Sequence, residues 1–116
     1  MISIVALHGL PEDPVAFDRY YREVHTPLVQ RIPGVIGIRY GRVLERPDGE
    51  SPPHFLICDT YFEDREALDA ALQSPEMAEA LADVPNFSSG GVTIFFAEVD
   101  DYPPDRGAHV GRSEAP

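Results

Sequence analysis

The segment Phe17-Asp18-Arg19-Tyr20-Tyr21-Arg22-Glu23-Val24-His25-Thr26-Pro27-Leu28 carries the residues best suited to chemistry. An imidazole changes charge near neutral pH, so His25 can serve as a general acid or base where a substrate reaches it. At about 100° per helical residue, Phe17, Tyr21, Val24 and Leu28 form one apolar stripe. His25 falls about 60° from the centre of that stripe, on the edge that Tyr21 shares. Two readings stay open: a proton-transfer group at the rim of a pocket, or a packed histidine that donates one ring proton to a backbone carbonyl. Tyr20 and Tyr21 lie on opposite edges, so Tyr21 is the one placed to share a pocket with His25. The other reading of Tyr21 is an amphipathic ring whose hydroxyl reaches water.

A second candidate lies in the run from His54 to Phe62, where Asp59 shares a strand face with Phe55, Ile57 and Tyr61. A carboxylate among apolar neighbours needs a hydrogen-bond partner or a raised pKa. Asp59 could orient His25, bind a substrate hydroxyl, or pair with Arg39 on a neighbouring strand. Asn86 and Phe87 stand in the loop before the last strand, where a ligand could be gated or where Asn86 simply forms a turn. Cys58 reads as a packed core thiol rather than a nucleophile. The histidines at 8, 25, 54 and 109 have no metal-ligand spacing, so neither a metal nor haem is expected. The sequence holds no Gly-x-Ser-x-Gly elbow and no phosphate-cradling glycine loop. It also has no lysine for a Schiff base.

These residues need a scaffold, and the apolar periodicity supplies one. Ile2 to Leu7 reads as a strand ended by His8-Gly9-Leu10-Pro11. Asp13 and Pro14 cap a helix through Leu28, which Pro27 should kink or end near Thr26. Strands follow at Val35–Leu44 and His54–Phe62. Asp64 caps a helix with Ala67, Leu68, Ala71 and Leu72, and Ser74-Pro75 opens another through Met77, Ala78, Leu81 and Val84. Gly90-Gly91 leads into a last strand, Val92–Val99. The order β-α-β-β-α-β is that of an α+β ferredoxin-like fold, an antiparallel sheet with helices on one face. Strands 54–62 and 92–99 are apolar on both faces, so the helix-free face needs a cover. An isologous homodimer that packs sheet on sheet would supply it, giving a dimeric α+β barrel. The alternative cover is a peptide-like ligand or the C-terminal tail.

Size and charge narrow the partners. The 116 residues fit one domain, here 1–99, followed by an acidic Pro- and Gly-rich tail over 100–116. Twenty acidic residues against nine arginines leave a net charge of −11. That field repels phosphate backbones and anionic lipid, so nucleic acid and membrane are not expected partners. With one cysteine, no basic-then-apolar leader and only short apolar runs, the cytoplasm is the expected compartment.

The chain resembles the EthD family of dimeric α+β barrel proteins. The resemblance rests on Pro11-Glu12-Asp13-Pro14, the Tyr20-Tyr21-x-x-x-His25-x-Pro27-Leu28 helix and Ile32-Pro33-Gly34. It continues through Asp64-Arg65-Glu66-Ala67-Leu68, Ser74-Pro75-Glu76, and Asn86-Phe87 ahead of Gly90-Gly91-Val92. It covers residues 1 to 99. The family's namesake accompanies a haem monooxygenase system in ether-degrading bacteria and has no settled chemistry of its own. Similar barrels include cofactor-independent monooxygenases, muconolactone-type isomerases and polyketide cyclases, with the ligand between sheet and helices of one protomer. The resemblance therefore implies a pocket for a small apolar, aromatic metabolite, without metal or organic cofactor. His25 and Asp59 are the candidate catalytic residues, and Phe17, Tyr21, Tyr61 and Phe87 the candidate ligand contacts. The alternatives are a non-catalytic carrier or accessory subunit of an oxygenase pathway, and an interaction module that docks through its acidic tail.

Overall fold

The computed structural model describes residues 1–105; of the tail expected over 100–116, residues 106–116 lie outside the described residues. Four strands, β1 (Ile2–Gly9), β2 (Val35–Arg42), β3 (His54–Phe62) and β4 (Val92–Glu98), form one antiparallel sheet in the order β2-β3-β1-β4. That is the ferredoxin-like order, with β1 and β3 in the centre and the helices on one face.

Helix α1 (Pro14–Tyr20) starts where the sequence demands: Asp13 accepts from the Ala16 N–H at 3.1 Å, and Pro14 opens the first turn. The same device starts α3 (Arg65–Leu72), capped by Asp64, and α4 (Pro75–Asp83), capped by Ser74. Between α1 and α2 (Thr26–Gln30) the chain runs through a π turn, Tyr21–His25. A segment boundary thus falls at Thr26, where Pro27 was expected to kink or end the helix, but the chain stays helical through the proline to Gln30. The Thr26 N–H reaches back five residues to the Tyr21 carbonyl, which also accepts from Thr26 Oγ1 at 2.8 Å. The proline falls in the first turn of α2, where a missing N–H is tolerated.

The π turn also corrects the expected stripe. Residues spaced by four drift about 40° per step around an α-helix. A turn closed over five residues takes up that drift, so Phe17, Tyr21, His25 and Val29 all come to the core face while Val24 is exposed. His25 is thus within the buried face rather than at its rim.

Two apolar clusters fill the space between helices and sheet. One gathers Val29, Ile32, Phe62, Leu68, Ala71, Met77 and Ala80; the other gathers Phe17, Tyr21, Phe55, Leu56, Cys58 and Phe87. Phe55 was expected opposite Leu56, but the β1–β3 pairing skips it between His8 and Gly9, and its ring packs edge-on to Phe17 at 5.2 Å. The expectation that β3 and β4 carry apolar residues on both faces fits what the single chain leaves uncovered: Ile57 of β3 and Ile94, Phe95 and Phe96 of β4 are exposed.

β1 runs two residues further than expected, to Gly9, because the loop before β4 crosses it at close range. A Cβ on Gly9 would lie 2.2 Å from the Gly90 carbonyl oxygen, and Gly9 N–H bonds to Gly91 O at 2.9 Å. Only paired glycines allow that crossing. It brings Ser88 beside His8.

Candidate active site

A cavity enclosing about 60 Å³ lies where the two apolar clusters meet. Its polar residues are His8 from β1, Tyr21 and His25 from the π turn, and Cys58 and Thr60 from β3, all buried. Ile4, Val29, Ile32, Met77 and Ala80 make the apolar sides. Leu81 and Ile94 line the outer end, and since both are exposed the cavity opens to solvent between α4 and β4.

His25 Nδ1 lies 3.0 Å from Asp83 Oδ2. Asp83 Oδ1 accepts from the Tyr20 hydroxyl at 2.5 Å and from Asn86 Nδ2 at 3.0 Å. Burial pushes the Asp83 carboxyl up, but bonds from Tyr20, Asn86 and His25 outweigh it and hold the group below the ordinary carboxylate range. An ionised carboxylate only accepts, so the proton of neutral His25 sits on Nδ1 and its Nε2 carries a lone pair. Burial lowers the His25 pKa, an effect that Asp83 partly offsets, so the ring is neutral at pH 7. Among the described residues no protein group bonds Nε2. The result is a basic nitrogen beside an apolar cavity, oriented from behind by a charged partner.

The structure sorts the candidate residues by face. Successive strand residues alternate sides, and Cys58 and Thr60 face the helices. Asp59 and Tyr61 therefore lie on the helix-free face, away from His25. Asp59 accepts from Ser3 Oγ at 3.2 Å, and its cross-strand neighbour Arg39 makes no ion pair with it. Asp59 does not orient His25; Asp83 does. Tyr61 lines a shallow hollow with Ile36, Arg39 and Val99 instead. Phe17 and Phe87 do not line the cavity but pack behind it. Phe87 lies 4.6 Å from the His25 ring and 5.5 Å from that of His8, and Phe17 lies 5.4 Å from His8. Tyr21 does line it, packed in one cluster with Cys58, whose thiol pKa burial raises. Tyr20, expected to stand apart from His25, joins it through Asp83.

Sequence reasoning missed Asp83 and His8. For Asp83 a signal existed: Met77, Ala80 and Asp83 recur every three residues and are all buried, whereas the expected stripe through Ala78 and Leu81 is exposed. A carboxylate on an apolar helix face asks for a partner. His8 was read as the end of β1, yet it continues the alternation Ile4, Ala6, His8 into the cavity. Burial, and then the nearby His25, push its pKa down to about 4.

A model of the EthD domain matches residues 10–91. A relative from Rhodococcus erythropolis, an uncharacterised 11.0 kDa protein in the thcB-thcC intergenic region, is 40% identical over 98 residues, 84% of this chain and 94% of the relative. The crystal structure of an EthD family protein from Bacillus halodurans superposes with a TM-score of 0.80 at 32% identity, covering 86% of this chain and 99% of that one. Two more distant structures share the fold. SnoaB, a cofactor-independent oxygenase from Streptomyces nogalater, has a TM-score of 0.62 at 14% identity over 90% of this chain and 97% of its own. A dimeric ferredoxin-like protein of unknown function from Jannaschia has a TM-score of 0.60 at 18% identity over 85% of this chain and all (100%) of its own. Both the alignment through the Tyr21–His25 turn and the superposed sheet lead to one assignment: this chain belongs to the EthD family.

Proposed function

We propose that this protein binds a small, largely apolar, aromatic molecule in the cavity between sheet and helices, and moves a proton on it with His25. The single observation that carries this reading is the His25–Asp83 pair. Asp83 holds the Nδ1 proton, and the unpartnered Nε2 is left to abstract a proton from whatever enters. Once protonated, the imidazolium is stabilised by the carboxylate 3.0 Å away and can return the proton to another atom. Isomerisation, cyclisation and cofactor-independent oxygenation all need such a step, and SnoaB, on the same fold, is described as a cofactor-independent oxygenase. A ring exceeds the enclosed 60 Å³, so it would lodge with its reacting end at the histidines and its body between Leu81 and Ile94.

The helix-free face, with Ile57 and Phe95 exposed, is the surface on which a second copy would pack. The dimeric description of the Jannaschia protein supports that arrangement.

Native mass spectrometry of the purified protein identifies a retained compound, whose conversion is then followed with the wild type and His25→Ala. General acid–base catalysis predicts a loss of about 10²-fold or more in kcat. Unchanged turnover by His25→Ala would sink the catalytic role. Binding without any conversion by the wild type, with His25→Ala altering affinity only, would assign the protein as a carrier instead.

A further inference from the structure

His8 is almost fully buried (2% exposed), it lines the same cavity as His25, and the reaction described above makes no use of it. Its hydrogen bonds decide its protonation. His8 Nδ1 lies 2.9 Å from Ser88 Oγ, and that hydroxyl donates to the Gly91 carbonyl at 3.1 Å. A hydroxyl has one proton and a carbonyl has none to give. Both contacts are therefore satisfied together only when His8 carries its proton on Nδ1 and donates it to Ser88. Nε2 is then a bare acceptor, and among the described residues no protein donor reaches it.

The polar lining is thus one-sided: His8 and His25 bring acceptor nitrogens to it, and among the described residues no arginine lines the cavity. Both imidazoles flank the same two rings: His8 lies 5.5 Å from each of Tyr21 and Phe87, and His25 lies 5.3 Å and 4.6 Å from them. A ligand carbonyl or carboxylate would face lone pairs there, and the net charge of −11 opposes an anion further. A hydroxyl would be accepted. Nor does the pair suit a metal, since no group of three or more His, Cys, Asp or Glu among the described residues is arranged to hold one.

We propose that His8 is a specificity-determining residue that accepts a hydrogen bond from a hydroxyl on an uncharged ring, making the site selective for phenol-like ligands over ethers and carboxylates. The inference rests on the reading of this cavity as the ligand site. His8 is the anchor rather than the base. Its depressed pKa, about 4, keeps it a neutral acceptor through the physiological range, whereas His25 has Asp83 to stabilise a gained proton.

Three probes of one shape test it by isothermal titration calorimetry at pH 7: para-ethylphenol, para-ethylanisole and para-ethylbenzoate. The phenol is expected to bind the wild type about tenfold or more tightly than the anisole, the cost of one buried acceptor left unmet. The benzoate is expected to bind more weakly still. In His8→Phe, which keeps a ring but removes the acceptor, the phenol should fall to the level of the anisole. Equal affinity for phenol and anisole in the wild type, tighter binding of the benzoate, or a preference that survives in His8→Phe would each overturn the role of His8 while leaving the site standing. Failure of all three probes to bind would overturn the site itself. Should His8→Phe not fold, ¹⁵N NMR of the wild-type ring decides: a protonated Nδ1 with bare Nε2 is expected, and a protonated Nε2 contradicts the proposal.

Discussion

On the helix-covered face of the sheet, polar side chains are buried, tied down on one side and left open on the other. His8 is bonded to Ser88 and His25 to Asp83, and each has one ring nitrogen without a protein partner among the described residues. On the helix-free face the pattern inverts. The polar pair Ser3–Asp59 satisfies itself, and the apolar residues Ile57 and Phe95 are the ones left without cover. An unmet buried acceptor calls for a specific small partner, because only a correctly placed donor satisfies it. Unmet apolar area is undiscriminating about shape at the atomic scale and calls for a broad second surface. On the proposed function, one four-stranded sheet separates recognition of a metabolite on one face from association with a second copy on the other.

Substitutions on each face should therefore fail differently. The largest effect belongs to His25→Ala, with the loss of about 10²-fold or more in turnover described above and little change in oligomeric state. Asp83→Ala comes next. It strips the buried His25 Nδ1–H of its acceptor and releases Tyr20 and Asn86, and should cost about 3 kcal/mol in a urea melt. Acid should weaken the same face. The unfolded chain binds a proton at His8 near pH 6.5, whereas the folded chain does so only near 4. Stability is therefore full above pH 6.5 and falls as pH drops toward 4, by about 3 kcal/mol from this residue. His25, also depressed, acts in the same direction. Melts of His8→Phe between pH 7 and 4 should lose most of that slope.

The helix-free face should respond in association instead. Phe95→Asp is expected to convert a dimer into a monomer by sedimentation velocity while leaving the His25 NMR signals in place. The smallest effect is expected from Asp59→Asn, which keeps an acceptor for Ser3. It should change stability by less than about 1 kcal/mol and leave the His25 titration unmoved. A shift in the His25 pKa on that substitution would show that the two faces are coupled.

Much of this architecture was legible in the residues. Asp13-Pro14, Asp64 and Ser74-Pro75 announced three helix starts because a cap depends on a few neighbouring atoms. Alternation and turn chemistry marked all four strands. His25 and Tyr21 stood out because an imidazole near an apolar stripe is unusual. What stayed hidden depends on contacts between distant segments. The π turn that carries His25 into the core is a local departure from the 3.6-residue period, so a wheel drawn at 100° per residue misplaced Val24. Asp83 was obscured by a stripe drawn one residue out of phase on α4. Asp59 was the opposite error: pleat parity told which residues share its face, but not which face the helices cover. Ser88, 80 residues from His8 in the chain, could be matched to it only once Gly9 and Gly90 were known to cross.

Methyl-labelled NMR with para-ethylphenol tests the division between the faces most directly. Ile4, Ile94 and Met77 line the cavity, whereas Val5, Leu7 and Ile57 share the Asp59 side of the pleat. The probe should shift the methyl signals of the first group, together with the His8 and His25 rings, and leave those of the second unchanged. Shifts centred on Val5, Leu7 and Ile57, with the cavity methyls still, would place the binding site on the helix-free face and contradict the account.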